Sequence, residues 1–497
     1  MKIVIGCTTL TVLTSLAFGQ VQIPLVWDDV ALADLEVPLA RPQYSPKHVS
    51  AEFYYNIPVR VIWKSYPVYH PDRAPSGYLD WLQTQEPQEI WSSDQLKSEE
   101  DWVRAGEIVF DAPTGYGSIG IRPREDTSYL RNKAWLAKVR PPLTKEGIVP
   151  FYRYVIRKKG NVEIGVLACA MCHTRVMPDG SVIKGAQGNF PFDRAMAEDF
   201  VAGAADADLV RLKQRLLRQL YFAPWMTAEQ SGLWTDPFDQ SKVIATLSGR
   251  LPGSLTRHRS SPTYPVQVPD LIGVQDRRYL DRTGLQQNHG IVDLMRYAAL
   301  NQGGDDLAAF GDFVPAAALT GSRPDPRQLR RYSDEQLYAL VKYVVSLRPP
   351  PNPNPFNALA KHGQQVFERE GCGQCHTPPL YTNNKLTPAA GFHVPPEHRA
   401  KYDILTVVVG TDPGLTMETR RGTGYYKVPA LRGVWYRGAF EHDGSVPTLE
   451  DWFDPLRLRE DYRPAFDAKP RAVKGHEFGL KLSAKDKTAL IAFLRTL

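Results

Sequence analysis

Cysteine is scarce in this chain, with five among 497 residues. So few exclude a disulfide-built scaffold. An excess of one charge is lacking too. The 60 Lys and Arg against 54 Asp and Glu leave a formal +6, and a nucleic-acid binder has no compositional support. Beyond the N-terminus no run of 18 consecutive apolar residues occurs, so the mature chain is expected to lack a membrane span. At 43% apolar and 23% charged, the composition is that of a globular protein, neither collagen-like nor an acidic disordered tail. The length allows two to four domains of roughly 100–200 residues.

The chain starts Met1-Lys2 and runs apolar from Ile3 to Phe18, with Ala17-Phe18-Gly19 at the end. A basic start, a short apolar stretch and a small-x-small end predict a secretory signal over residues 1–19, cut before Gln20. The mature protein is then expected to be periplasmic or secreted. Cys7 leaves with the signal. The other four cysteines fall in two motifs, Cys169-Ala170-Met171-Cys172-His173 and Cys372-Gly373-Gln374-Cys375-His376.

C-x-x-C-H is the attachment signature of c-type haem. Two thiols add to the two vinyl groups of one haem, and two intervening residues set their separation. The adjoining His173 or His376 is then the proximal iron ligand. A four-cysteine zinc site keeps its halves closer, about 15–20 residues apart, whereas 199 residues lie between Cys172 and Cys372. A thioredoxin-like pair or two local disulfides leave the histidine after each pair unexplained. Two covalent haem c groups are therefore expected.

Residues 349–355, Pro-Pro-Pro-Asn-Pro-Asn-Pro, read as a semi-rigid linker. They divide a first haem domain (101–348), preceded by an irregular N-terminal arm (20–100), from a second (356–497). The segment from Val268-Pro269 matches Val428-Pro429 at a constant offset of 160, and the register runs on through Arg277/Arg437 to Gly284/Gly444. Ala105-Gly106 to Phe110 echoes His362-Gly363 to Phe367. Each half is expected to close with an amphipathic helix, capped by Ser333 and by Ser483. The first domain carries an insertion in which 151–156 and 162–166, around Gly160-Asn161, predict a β-hairpin leading into Cys169. A helix is expected over 206–222, its Arg211, Lys213, Arg215 and Arg218 on a solvated face. The fold class expected is mainly α: two cytochrome c-type domains, the first elaborated by the arm and the hairpin.

Cys372 to His376, then Tyr426-Lys427-Val428-Pro429-Ala430-Leu431-Arg432, then His442-Asp443-Gly444-Ser445 and Leu449-Glu450-Asp451-Trp452 resemble the bacterial di-haem cytochrome c peroxidase and MauG superfamily. The resemblance is good over about 356–497 and looser before it. The peroxidases carry a distal methionine after the His-Asp-Gly block, and Val446 to Arg459 holds none. The long spacing between motifs, the elaborated first domain and Gly475-His476-Glu477-Phe478 are similar to the di-haem rubber oxygenase branch. That resemblance implies a bis-histidine second haem and a first haem that keeps a site for dioxygen; a calcium ion is implied by resemblance only.

Among His393, His398, Met417, His442 and His476, the distal ligand of the second haem is expected to be His476, with Met417 and His442 next. His442 beside Asp443-Gly444 is alternatively a loop-holding residue. For the first haem, His258 and His289 are the downstream histidines, and Arg282 stands where the repeat would put His442. Arg277, Arg278, Arg432 and Arg437 are either propionate partners or surface residues. The chain is thus expected to be an exported, soluble di-haem cytochrome acting as a redox enzyme. One haem relays electrons and the other activates peroxide or dioxygen. The expected partners are a small electron-donor or acceptor protein and a small-molecule oxidant. A non-catalytic di-haem electron carrier is the alternative.

Overall fold

A computed structural model of the chain describes residues 22–117, 128–201, 206–227, 230, 238–463 and 470–497. The expected signal segment, 1–19, lies outside the described residues. The fold is helix-rich, 39% helix and 13% strand. No described helix is long and apolar enough to cross a membrane.

Two similar helix crossings anchor the two halves. In the first, Glu99–Asp111 packs on Asp334–Ser346. In the second, Ala358–Arg369 packs on Ala484–Arg495. The caps expected from the sequence are present: Ser333 accepts from the Gln336 N–H and Ser483 from that of Asp486. Each crossing is made close by one glycine. A Cβ on Gly106 would stand 1.9 Å from the Ala339 carbonyl oxygen and 2.6 Å from the Tyr343 Cβ. A Cβ on Gly363 would stand 1.9 Å from the Ala489 carbonyl and 2.8 Å from the Phe493 Cβ. The echo between the two glycine segments therefore encodes one packing geometry used twice. Around the crossings, Phe110 and Leu337 enter one core and Phe367 and Leu490 another, each such side chain contributing about 1.5–3 kcal/mol of burial.

The predicted hairpin is Ile148–Lys158 with Asn161–Val166, turning at Gly160, whose φ is 82°. Only glycine adopts that angle without strain. The hairpin forms the centre of a four-stranded sheet with Ser65–Tyr69 and Gly115–Tyr116 at its edges. Its apolar face buries Tyr152, Ile164 and Val166 in the same core as Met171, which lies inside the first C-x-x-C-H motif. The insertion thus supports that motif from one side.

The N-terminal arm packs along both halves. Trp27 stacks on Tyr54 with ring centres 4.1 Å apart, and Lys47–His48 pairs with Ala308–Ala309. Farther on, the Ala40 N–H meets the Gly422 carbonyl and Arg41 meets Glu418 at 3.4 Å. Residues 349–355 have no regular structure, and Asn352 fixes them by donating to the Arg495 carbonyl. One expectation is corrected in the Ala207–Tyr221 helix. Lys213 is fully buried, its ammonium donating to the Phe200 carbonyl at 2.8 Å, while Arg211 stays on the exposed face. Its long apolar stem let it enter the core.

Candidate haem sites

The first motif forms a single helical turn, Cys169–Cys172, placed directly after the hairpin. Both cysteines are half-buried and neither is in a disulfide. Burial pushes Cys169 up to about 12 and raises Cys172. Among the described residues, no group of three or more His, Cys, Asp or Glu is placed to hold a metal ion. The His173 Nδ1 lies 3.0 Å from the Pro269 carbonyl oxygen. A proton donated there leaves Nε2 with its lone pair free, the arrangement an iron-ligating histidine needs. Burial lowers the His173 pKa to about 3, so the ring is neutral.

The second motif repeats this arrangement. Cys372–Gln374 is a short 3-10 turn after Gly371, and burial raises Cys372 to about 11. The His376 Nδ1 lies 3.2 Å from the Tyr381 carbonyl, and the Pro429 carbonyl also faces the ring. Pro269 and Pro429 are the same position of the internal repeat. That repeat therefore places a backbone acceptor beside the histidine of each motif.

His476 comes to His376. The two ring centres are 6.2 Å apart, the planes at 57°. Two imidazoles sharing one metal stand about 6 Å apart, at about 2 Å per metal–nitrogen bond plus the distance from nitrogen to ring centre. Burial lowers both histidines, His376 to about 4, and a neutral ring is the ligating form. The His476 Nδ1 is buried with no hydrogen-bond partner. The backbone holds His476 at a φ of 44°, a conformation that costs about 1–2 kcal/mol. The buried Arg457 fixes it by donating to the carbonyls of Val473, Gly475 and His476, while the His476 N–H meets Val409. These residues fit a haem iron held by two histidines.

The remaining candidates lie elsewhere. His442 is buried, but its Nδ1 is 3.2 Å from Glu441 and its carbonyl accepts from the Gln267 N–H of the first half. It holds the loop between the halves. Met417 sits on the Gly414–Glu418 turn and has no part in the His376–His476 pair. His398 meets the Tyr425 hydroxyl, His393 is exposed, and His289 is on the surface with Asp293.

Between the halves lies a cavity lined by Arg277, Arg282, Lys427 and Arg437, with Asp270 the single carboxylate in its wall. The repeat is visible here: Arg277 donates to the Asp270 carbonyl and Arg437 to that of Ala430, 160 positions on. Burial, then neighbouring cations, lower Arg282 to about 10 and Lys427 well below its ordinary value. Such crowding of cations around Asp270 suits further anions, and haem propionates would bring that charge. Calcium, which takes six to eight oxygens, finds no ligand set in this wall. Of the four arginines singled out from the sequence, Arg277 and Arg437 line the cavity. Arg278 and Arg432 are surface residues paired with Asp403 and Asp276. Arg282 and Lys427 were missed as cavity residues, although their places in the repeat gave a signal.

No protein-family model and no curated protein matches the chain. Among solved structures, a chain of Kuenenia stuttgartiensis hydrazine synthase, pressurised with xenon, is similar at 15% identity. The match covers 57% of this chain and 87% of that one, with a TM-score of 0.29. A likeness that weak carries no argument about fold or function.

Proposed function

We propose that the chain is an exported di-haem c-type cytochrome and a haem-dependent oxidoreductase. The second haem, held by Cys372, Cys375, His376 and His476, relays electrons. The first, held by Cys169, Cys172 and His173, is the site of oxidant activation. The observation that carries this reading is the asymmetry of the two halves. Each motif has its histidine fixed by an equivalent backbone carbonyl, but among the described residues a ring contact pairs His376 with another histidine, His476, and none pairs His173 with one. A sixth ligand makes an electron carrier, and an open position makes a catalyst.

When bound, the haems supply one-electron chemistry and the binding of peroxide or dioxygen. The protein supplies the rest. Pro269, Tyr381 and Pro429 orient the proximal rings, Arg457 holds the distal one, and Arg277 and Arg437 offset propionate charge in the space between the halves.

Mass spectrometry of the protein made in a host that matures cytochromes c tests the reading. Two covalent haems, both lost when Cys169, Cys172, Cys372 and Cys375 are replaced by alanine, are expected. A chain exported without haem would contradict it. Reduction of hydrogen peroxide, against oxygen uptake with polyisoprene, then separates peroxidase from oxygenase. Inertness to peroxide, oxygen and carbon monoxide leaves the non-catalytic electron carrier.

A further inference from the structure

The two motifs are packed differently between their cysteines. In the first, both intervening residues are buried. Ala170 shares a core with Phe110 and Tyr343, and Met171 lies in the core under the hairpin. In the second, Gly373 and Gln374 hold these places, and Gln374 is exposed. The aromatic pair of the helix crossing is kept in both halves. Phe110 and Tyr343 have ring centres 5.3 Å apart, Phe367 and Phe493 5.4 Å. The second half lacks the cover, because the hairpin insertion belongs to the first half alone.

A cavity of about 320 Å³ stands where that cover is missing. Its wall includes Phe367, Tyr381 and Phe493, with Gln364, Glu368 and Gly373. Cys372, Cys375 and His376 are not part of the wall, so a haem bonded to them lies on another side of the turn. The three rings meet edge to face, their centres 5.4, 5.9 and 6.1 Å apart. A Cβ on Gly373 would touch only Phe367, at an unstrained 3.9 Å, and its φ is not in the left-handed region. Neither packing nor backbone demands glycine there, and its effect is to keep the cavity open. At one edge Gln364 donates to the Glu368 carboxylate at 3.1 Å.

The size is that of a small-ligand site, at the low end of about 300–1,000 Å³. It takes a single-ring molecule and not a folded protein. Aromatic walls favour a planar ring set edge to face or offset against them. A carboxylate at the rim favours a ligand that donates a hydrogen bond.

We propose that this cavity binds a small phenolic reductant of hydroquinone type beside the second motif, with Glu368 accepting its proton. The inference rests on the di-haem reading and names the electron source of the second haem. The diol gives one proton to the Glu368 carboxylate and one electron to the second haem, whose iron goes from ferric to ferrous. The diol leaves as its one-electron-oxidised radical, and Glu368 returns the proton to solvent. Two such radicals disproportionate to one quinone and one diol, so each quinone formed accounts for two electrons delivered.

Two probes test this on the ferric holoprotein. Resorcinol, a ring diol that resists oxidation, reports binding by calorimetry. Hydroquinone reports electron delivery by stopped-flow absorption of the second haem under argon. Gly373→Leu fills the cavity and should weaken resorcinol about tenfold or more. It should slow hydroquinone reduction in proportion, the ferric spectrum of the second haem unchanged. Glu368→Gln should slow reduction about fivefold or more by removing the proton acceptor. Glu368 is exposed, so this variant carries the test if Gly373→Leu does not mature. Resorcinol affinity equal to wild type in Gly373→Leu overturns the proposal. So does a hydroquinone rate equal to wild type in either variant, which leaves a protein donor as the electron source. A protein carrying two haems that binds no resorcinol overturns this inference alone. A chain without haem sinks the di-haem reading itself, and this inference with it.

Discussion

His376 and His476 face each other with ring centres 6.2 Å apart, although they come from opposite ends of the second half. The separation leaves room for one metal atom between the rings. His476→Ala should therefore convert the second haem from low to high spin and leave the first unaltered, and added imidazole should restore the low-spin spectrum. Unchanged spectra would remove His476 as ligand.

Arg277 and Arg437 each bring a buried cation to the cavity between the halves. A positive charge near a haem favours the reduced state. Arg277→Gln is expected to lower the midpoint potential of the first haem, and Arg437→Gln that of the second, on the order of 50 mV for a partly screened charge. Potentiometric titration decides it, and potentials equal to wild type in both variants speak against propionates in the cavity.

The two glycine crossings leave no space for a methyl group. Gly106→Ala and Gly363→Ala each force the Cβ to within 1.9 Å of a carbonyl oxygen unless the helices part. Each is expected to cost about 2–3 kcal/mol, seen as a lower thermal midpoint of the half that carries it. Melting curves indistinguishable from wild type would refute the equivalence of the crossings.

Glu36 ties the arm to the first half. Burial opposes its charge, but His48 and Arg259, each at 3.3 Å, and Gln286 at 3.1 Å outweigh that and lower its pKa to about 2. A carboxyl held lower in the folded than in the unfolded chain contributes stability that is present above about 4.5 and lost as the pH falls towards 2. Glu36→Gln should flatten the acid limb of unfolding over that interval. An acid limb identical to wild type would show that the ion pairs contribute nothing.

Much of this was legible in local pattern. The C-x-x-C-H motifs, the serine caps and the hairpin turn at Gly160 depend on near neighbours in sequence. The repeat carried more than its apolar residues suggested, because Pro269 and Pro429 act through their backbone carbonyls. What stayed hidden depends on distant chain. His476 is aimed at His376 by Arg457 and Val409, and no spacing rule contains that. Lys213 reads as one more basic residue of an amphipathic helix until the Phe200 carbonyl receives it. Arg257 and Tyr297 lie far apart in the chain, yet both reach the Asp281 carboxylate. His442 had the look of a ligand, yet its ring is committed to Glu441.

The most direct test of two inequivalent haems is the low-temperature EPR spectrum of the ferric holoprotein, quantified against its iron content. One low-spin signal of bis-histidine type and one high-spin signal, each near one spin per chain, are expected. Two low-spin signals that persist with excess peroxide and cyanide would contradict an oxidant-activating first haem and leave an electron carrier.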